Sequence, residues 1–418
     1  MKYYKKKHFR SENTFWKLYL LTVCGFLGFY AYIPGADKLY SNDMQYLLTA
    51  IFALVSLALW CGQSKKIKTP KSFRRFTLCL FCFILIEIVL TSVKYPRQSI
   101  VLTIKETLYY FIVWLVLLSF FQIKKSKMTQ NRVANIIINI SIICSVVAVV
   151  AYILYYVSDI NILKLDTVFS WDKNNFRNGR LRFGVGIELI IYGALISFRD
   201  IIQKKSTAKD WICLFLSLIQ ILFFIQTRML MLTLFATFIV FILINKEHSR
   251  FINIMGWMTV ILLFFTSMFF VGEIYDGVNR YFEADPGIMI RFKAIKYYLE
   301  QLKSDPLFGM GLISSSREGP YWNLVAGTEG RFFRADVGVV GFLNTFGLIG
   351  FIFVVWILKW VFDHISKNSP YFTVQKAYLF FCIMTFPSLF CFDIERLRAF
   401  MIIVFWLLSP INEEAHIT

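Results

Sequence analysis

The chain has 418 residues, of which 57% are apolar and 18% aromatic, and its mean hydropathy is +0.60. Apolar runs of 17 or more residues recur along its whole length, which excludes a large soluble core and predicts an all-α, polytopic integral membrane protein. The formal net charge of +19 does not indicate a nucleic-acid partner, because the basic residues lie in short clusters between apolar runs rather than along one face.

Twelve transmembrane helices are predicted, so that both termini lie on one side of the membrane. Because no small-residue cleavage site follows the first apolar run, we expect that run to be a retained signal anchor. The N-terminal segment and the loops on its side hold 24 of the 45 basic residues, 18 of them Lys, and the positive-inside rule assigns this side to the cytoplasm. The predicted spans lie at residues 15–34, 44–61, 76–93, 100–121, 133–157, 181–198, 210–227, 229–245, 251–272, 337–358, 377–392 and 399–411.

The eight cysteines lie inside or at the ends of apolar runs, where a disulfide has no loop to close. Cys79 and Cys82 form a C-x-x-C motif, but no second Cys or His pair lies nearby to complete a metal site. We therefore expect packed core cysteines and no metal ligands.

On the opposite face of the membrane, the basic residues are more often arginine than lysine. Lys supplies positive charge equally well, so an excess of Arg indicates bidentate recognition of phosphate or carboxylate groups. The alternative is that these side chains snorkel and stack on interfacial aromatics. The twelve arginines are Arg97, Arg177, Arg180, Arg182, Arg228, Arg280, Arg291, Arg317, Arg331, Arg334, Arg396 and Arg398.

The stretch "FFIQTRMLMLTL", residues 223–234, places Arg228 between two apolar runs. A single helix over residues 210–245 would be about 54 Å long, against about 30 Å of hydrocarbon, so the segment must fold back. Arg228 then lies at the outer tip of a helical hairpin, where it meets water or an anion. Glu188, near the outer end of span six, is expected either to form a structural ion pair or to pair with an arginine of the site.

Residues 273–336 form the one long predicted loop, extracytoplasmic and inserted between spans nine and ten of a single membrane domain, residues 1–418. Residues 287–303 are predicted to form an amphipathic helix in which Arg291 shares the apolar face with Ile295 and Tyr298, opposite the lysines. An arginine turned inward on this face requires a partner, which is either a structural carboxylate or an anionic ligand.

The end of this loop combines a tight backbone path with charged residues. In "SDPLFGMGL", Pro306 ends the helix, and Gly309 and Gly311 permit a tight turn. In "GRFFRADVGVVGFLNTFGLIG", Arg334 and Asp336 lie immediately before the next span. Asp336 is either the N-cap of that span or a carboxylate beside arginines that accepts a proton.

The order of these features resembles that of the O-antigen polymerase and ligase superfamily of bacterial membrane glycosyltransferases. The resemblance extends over about residues 177–358, and "PLFGMG" and "TFGLIG" are its most specific parts. It implies a GT-C-like fold of about twelve helices and a metal-independent reaction without a cofactor at the outer face of the bacterial plasma membrane. An acceptor hydroxyl attacks the anomeric carbon of a glycan on undecaprenyl diphosphate, and the lipid diphosphate leaves.

The resemblance also assigns residues. Arg228 and Arg291 match the functional arginines of the family by position, and we expect them to hold the diphosphate. Asp336 is the expected general base or acceptor-orienting residue. Further contacts to the diphosphate or glycan are expected from Arg180, Arg182, Arg334, Arg398, Glu188 and Tyr298.

Histidine distinguishes the possible functions. Ligases of the superfamily resemble one another in having a His near the end of the external loop, whereas the four His of this chain are all cytoplasmic in the predicted topology. This departure favours a polymerase acting on lipid-linked donor and acceptor, with membrane lipid, a chain-length regulator and a flippase as expected partners. The alternatives are a ligase and, in another class, a transporter or flippase of an anionic glycolipid. Transporters usually show internal repeats and broken helices, and neither is apparent in the sequence.

Overall fold

A computed structural model describes residues 33, 51, 71–107, 130–160, 162–163, 176–177, 180–181, 186–225, 228–244, 286–317, 319–327, 330–365, 369–387, 390 and 392. This part of the chain is helical, apart from one antiparallel pair of two-residue strands. Its helices are α1 (Lys71–Lys94), α2 (Ile100–Thr107), α3 (Gln130–Ser158), α4 (Ile187–Ile202), α5 (Ala208–Ile219), α6 (Arg228–Ile244), α7 (Pro286–Ser304), α8 (Trp322–Ala326), α9 (Val339–His364) and α10 (Phe372–Met384). A π-helical turn, Gln220–Ile225, extends α5, a 3-10 turn, Arg334–Val337, precedes α9, and the strands are β1 (Phe176–Arg177) and β2 (Arg180–Leu181).

Eight of the twelve predicted spans overlap helices of the structure, and the predicted amphipathic helix is α7. The spans predicted at 15–34, 44–61, 251–272 and 399–411 lie outside the described residues, except for Ile33 and Ile51. Span six was placed too early, because Gly186, with φ 65°, precedes the first residue of α4. By length and composition three of the described helices are able to cross a membrane: Gln130–Ser158, Ala208–Ile225 and Val339–Asp363.

Helices α3 and α5 run parallel and α4 runs back between them. At one end Lys209 Nζ lies 3.4 Å from the Asn135 carbonyl oxygen, and at the other end the rings of Tyr152 and Phe224 stack with centroids 4.0 Å apart. Between these contacts, α4 packs on both helices so closely that a Cβ on Gly193 would clash with α3. Because α3 and α5 are parallel, their first turns lie at one end of the bundle and their last turns at the other.

Residues 208–244 form a helical hairpin, as predicted from their length. Helix α6 begins at Arg228, and two residues separate it from Ile225, where the extension of α5 ends. Its later residues Phe238 and Phe241 pack on Phe198 near the end of α4, with ring centroids 4.5 and 5.6 Å apart. Helix α6 therefore returns to the end where α5 starts, and Arg228 lies at the far end.

One end of the bundle is held together by Arg199. Its Nη1 donates to the Pro370 carbonyl oxygen at 3.1 Å, and its guanidinium lies 3.8 Å from the centroid of the Tyr371 ring. Nearby, Ser369 Oγ donates to Gln130 Oε1 at 2.8 Å. These contacts join the last turn of α4, the start of α3 and the residues just before α10, which the sequence assigns to one face of the membrane.

Helix α9 is broken at Gly347, where φ is 63° and ψ is −162°. The break removes intrahelical partners from carbonyls before it and from N–H groups after it, and such groups require other partners inside a membrane. Residues 306–311 supply them through four backbone hydrogen bonds. These are Met310 N to Asn344 O at 2.6 Å, Gly311 N to Thr345 O at 2.9 Å, Leu348 N to Pro306 O at 2.9 Å and Ile349 N to Leu307 O at 3.2 Å.

Two glycines make this insertion possible. Gly309 has φ 67°, and a Cβ there would lie 2.7 Å from the Asn344 carbonyl oxygen. Gly347 also has a positive φ, and a Cβ there would clash with the Leu307 carbonyl. Because both backbones adopt a left-handed conformation at a close approach, neither position accepts a side chain without strain. The motifs "PLFGMG" and "TFGLIG" are thus the two halves of one contact.

Candidate active site

The far end of the bundle is built on the last turn of α1. Lys94 Nζ forms an ion pair with Asp305 Oδ2 at 2.7 Å and donates to the Gly309 carbonyl oxygen at 3.0 Å. One turn earlier, Thr91 Oγ1 accepts a hydrogen bond from Leu312 N at 2.9 Å. Helix α1 therefore fixes the loop segment that fills the break in α9.

The connection from α1 to α2 holds the next part of the loop. Gln98 Nε2 donates to the Leu312 carbonyl oxygen, and its Oε1 accepts from Ser314 N, both at 2.9 Å. Glu106 Oε1 accepts from Ser315 N at 3.0 Å and from Ser314 Oγ at 3.1 Å. These buried or half-buried side chains satisfy loop backbone groups that would otherwise lack partners.

Helix α7 lies against the first half of α9. Asn344 Nδ2 donates to the Tyr298 carbonyl oxygen at 3.2 Å and to Gln301 Oε1 at 3.0 Å. The Tyr298 side chain is fully buried, and its hydroxyl donates to the Val325 carbonyl oxygen at 2.6 Å. Tyr298, expected to contact substrate, thus joins α7 to α8.

Arg334 lies at the centre of this end of the molecule, in the 3-10 turn before α9. It is half-buried, and its Nη1 donates to the Gly311 carbonyl oxygen at 3.1 Å. Burial raises the pKa of Tyr95, Tyr297 and Tyr298, and the positive charge of Arg334 opposes that rise in each case. One guanidinium therefore acts on tyrosines from both α7 and the α1–α2 connection.

Asp336 lies in the same 3-10 turn as Arg334 and is half-buried. The prediction that it caps α9 is wrong. The residue before α9 is Gly338, which has φ 56° and makes no side-chain cap, and Val339 N donates to the Phe386 carbonyl oxygen at 2.9 Å. Because that carbonyl takes the place of a capping side chain, Asp336 is not used at the helix start.

Arg291 is exposed, contrary to the expectation that it is turned inward. It shares its face of α7 with Tyr298, which is packed against Phe332 and Val337, but it lies two turns nearer the helix start. Within the described residues Arg291 has neither an ion pair nor a hydrogen-bonded carboxylate. The sequence left two alternatives for the partner of Arg291, a structural carboxylate or an anionic ligand. The described residues provide no such carboxylate.

Part of the chain matches a known protein family. Residues 212–355, about a third of the chain, match the family model described as O-antigen ligase. The match supports membership of the O-antigen polymerase and ligase superfamily. Together with the three described helices that are long and apolar enough to cross a membrane, the match indicates an integral membrane protein. A search of curated proteins found no match.

The segment matched to the superfamily contains Arg228, Arg291, Arg334 and Asp336. The structure brings Arg334 and Asp336 together in one turn and places Arg291 on the neighbouring helix α7. Arg228 is the first residue of α6, and its side chain is outside the described part.

Of the other predicted site residues, Tyr298 lies inside the match and the rest lie outside it. Glu188 is half-buried in the first turn of α4 and forms no ion pair within the described residues. Arg180 is in β2, but its side chain is not described, and Arg182 and Arg398 lie outside the described residues. No group of three or more His, Cys, Asp or Glu suited to a metal occurs in the part of the chain that was described.

Four residues outside the matched segment were missed by the sequence analysis: Lys94, Tyr95, Gln98 and Glu106. All four belong to the short polar connection "KYPRQS" between two predicted spans or to the start of the following span. The sequence did contain a signal for these residues, because polar groups at the ends of apolar runs need partners at the edge of a bilayer. The partner segment, residues 305–315, lies about 210 residues further along the chain, so no local pattern identified it.

Proposed function

We propose that this protein polymerises lipid-linked oligosaccharide repeat units at the outer face of the bacterial plasma membrane. An acceptor hydroxyl attacks the anomeric carbon of a donor glycan on undecaprenyl diphosphate. The new glycosidic bond forms as the bond from the anomeric carbon to the phosphate oxygen breaks, and the electron pair leaves with the lipid diphosphate. The observation that carries this proposal is the match of residues 212–355 to the O-antigen ligase family.

The contacts of the bundle support the proposed topology. Loops assigned to the cytoplasm meet at one end around Arg199, and segments assigned to the outer face meet at the other around Arg334. The proposal includes twelve spans in a GT-C-like arrangement, with both termini in the cytoplasm and residues 273–336 outside.

The proposed chemistry is electrostatic. Arg228 and Arg291 hold the diphosphate, because fixed guanidinium groups stabilise the charge that develops on a leaving phosphate and form bidentate contacts to its oxygens. The exposure of Arg291, without an acidic partner in the described residues, supports this role. Asp336 accepts the proton of the acceptor hydroxyl or orients that hydroxyl.

Secondary contacts complete the proposed site. Arg334, close to Asp336 in the same turn, is proposed to bind the diphosphate or glycan. Arg180, Arg182, Arg398 and Glu188 are further proposed contacts at the outer end. Tyr298 of α7 is a further proposed contact to the diphosphate or glycan. In the structure its hydroxyl donates to the Val325 carbonyl oxygen.

A ligase is the second candidate function, favoured by the description of the matched family. It differs from a polymerase in adding glycan to a different acceptor. A glycolipid transporter is the third, and the break in α9 is a feature that transporters often have. In transporters the freed helix ends bind substrate, whereas here residues 306–311 hydrogen-bond both sides of the break. This difference argues against transport.

The decisive experiment is incubation of the purified protein with a synthetic undecaprenyl-diphosphate repeat unit. We expect a ladder of oligomers. A product only when a different acceptor is supplied would establish a ligase, and no product from either mixture would contradict both enzyme proposals.

Arg228→Lys is the matched test of the diphosphate clamp. It should lose most product while the protein still inserts into the membrane, because an ammonium group cannot bridge two phosphate oxygens as a guanidinium does. Arg75→Lys, an exposed arginine of α1 on the proposed cytoplasmic side, is the control and should keep its activity.

A further inference from the structure

Tyr95 has a hydroxyl that the fold does not use. The residue follows α1 and is only 6% exposed, and its ring packs edge-on against Tyr321 with centroids 4.9 Å apart. Among the described residues the hydroxyl has no hydrogen-bond partner. The hydroxyl of Tyr298, which is also a buried residue, donates to the Val325 carbonyl oxygen. A buried hydroxyl without a partner is costly, so its presence requires an explanation.

The position of Tyr95 relates this hydroxyl to Arg334. Tyr95 is one helical turn after Thr91, and Tyr95 N donates to the Thr91 carbonyl oxygen at 2.9 Å. The Thr91 side chain bonds Leu312 N, and Arg334 bonds the carbonyl oxygen of the adjacent Gly311. Thr91 and Arg334 therefore bond two adjacent loop residues from different elements. Tyr95 lies one turn from Thr91 and packs in a cluster with the next loop residue, Ile313. The effect of the Arg334 charge on the pKa of Tyr95, which opposes the larger effect of burial, agrees with this proximity.

Two charged side chains near Tyr95 in the chain are already bonded. Lys94 is paired with Asp305 and with the Gly309 carbonyl, and Glu106 accepts hydrogen bonds from Ser314 and Ser315. The Tyr95 hydroxyl is thus a buried group of the α1–α2 connection that no described residue bonds and that could act on a ligand. A neutral phenol and a guanidinium are both donors, and together they suit an anionic oxygen.

We infer that Tyr95 is a substrate-binding residue whose hydroxyl donates a hydrogen bond to a phosphate oxygen held beside Arg334. This inference rests on the proposed function, because it takes the phosphate to be that of the lipid-linked substrate. It adds to the site a residue from outside the segment matched to the family. The hydroxyl is covered in the structure, so binding requires the segment around Tyr321 to move.

Tyr95→Phe tests the inference, because it removes the hydroxyl and keeps the ring. We expect the melting temperature to be unchanged or higher, since an unbonded buried hydroxyl is lost, while product formation falls at least about tenfold. A purely structural tyrosine would lose no activity. Tyr371→Phe is the control, since its ring lies over Arg199 at the opposite end of the bundle; its product formation should stay within about twofold of the wild type.

A binding measurement separates this inference from the proposed function. Melting of the wild type and of Tyr95→Phe is followed with added undecaprenyl diphosphate and with undecaprenol, which lacks the phosphates. We expect undecaprenyl diphosphate, but not undecaprenol, to raise the melting temperature of the wild type. Tyr95→Phe should require at least about tenfold more undecaprenyl diphosphate for the same rise. Equal binding by the two proteins, or no stabilisation of the wild type, would overturn the inference. Diphosphate binding without any glycan product would instead contradict the proposed enzyme.

Discussion

At the scale of single residues, the charge of Arg291 is stabilised by solvent rather than by an ion pair within the described residues. The side chain lies near the start of α7, on the face that carries the buried residues Ala294 and Tyr298 further along the helix. An exposed charge without a structural partner contributes little to stability, so selection for stability gives no reason for an arginine here. Binding of an anion does give one.

Arg291→Gln should therefore separate activity from stability. We expect the free energy of unfolding to change by less than about 0.5 kcal/mol, because no described contact is removed, while product formation falls at least tenfold. Thermal melting and the oligomer assay measure the two effects. Lys296→Gln, an exposed cation on the same helix, is the control and should change neither. Equal activity of the two variants would show that Arg291 does not bind the substrate.

Asp336→Asn tests the proton acceptor. Since Asp336 does not cap α9, the substitution should leave the melting temperature nearly unchanged. Product formation should fall by two orders of magnitude or more, in the range that a general base contributes. Asp363→Asn, at the exposed far end of α9, serves as the control. Near-normal turnover by Asp336→Asn would exclude the carboxylate as the base.

At the scale of elements, the break in α9 and the loop that fills it form a single unit. Four backbone hydrogen bonds connect residues 306–311 to the two sides of Gly347, and α1 holds the loop through Lys94 and Thr91. The loop is therefore a fixed part of the fold, and the 3-10 turn with Arg334 and Asp336 is positioned by it.

Gly309→Ala should disrupt this unit. The residue has φ 67°, and its Cβ would lie 2.7 Å from the Asn344 carbonyl oxygen, so the loop must move. We expect a loss of about 2 kcal/mol or more in the free energy of unfolding, together with loss of product. Gly319→Ala, in the same loop but without a positive φ, should cost clearly less, which thermal melting will measure. A similar loss for both would indicate that the insertion is not the sensitive feature.

The elements differed in how well the sequence predicted them. Composition and periodicity located the overlapping spans and α7, because burial patterns along a helix are local. The tight path at Gly309 was predicted, but the break at Gly347 was not, since a glycine within an apolar run does not itself indicate a broken helix. The partners of Gln98 and Glu106 depend on contacts more than 200 residues apart in the chain. Such contacts are set by packing, which a single sequence does not reveal.

At the scale of the whole molecule, the two ends of the bundle differ in chemistry. The end around Arg199 joins turns rich in lysine, and the end around Arg334 joins the long loop to α1 and α9. The proposed topology places the first in the cytoplasm and the second outside.

Reporter fusions test this arrangement. Alkaline phosphatase fused after residue 320 should be active, because that position is expected outside the plasma membrane, and a fusion after Lys205 should be inactive. Green fluorescent protein at the same two sites should give the reverse result. An active phosphatase at Lys205 together with an inactive one at 320 would invert the topology and overturn the proposed function.

The break in α9 also has a consequence for biosynthesis. The residues that hydrogen-bond the two halves, 306–311, are synthesised before α9 and leave the ribosome ahead of it. In the proposed topology this segment has already been exported when the nascent helix enters the bilayer, and the interrupted backbone of the helix depends on it. Correct maturation of this span would then require the translocated segment to return into the membrane, so that insertion and tertiary assembly become a single event at this point of the chain.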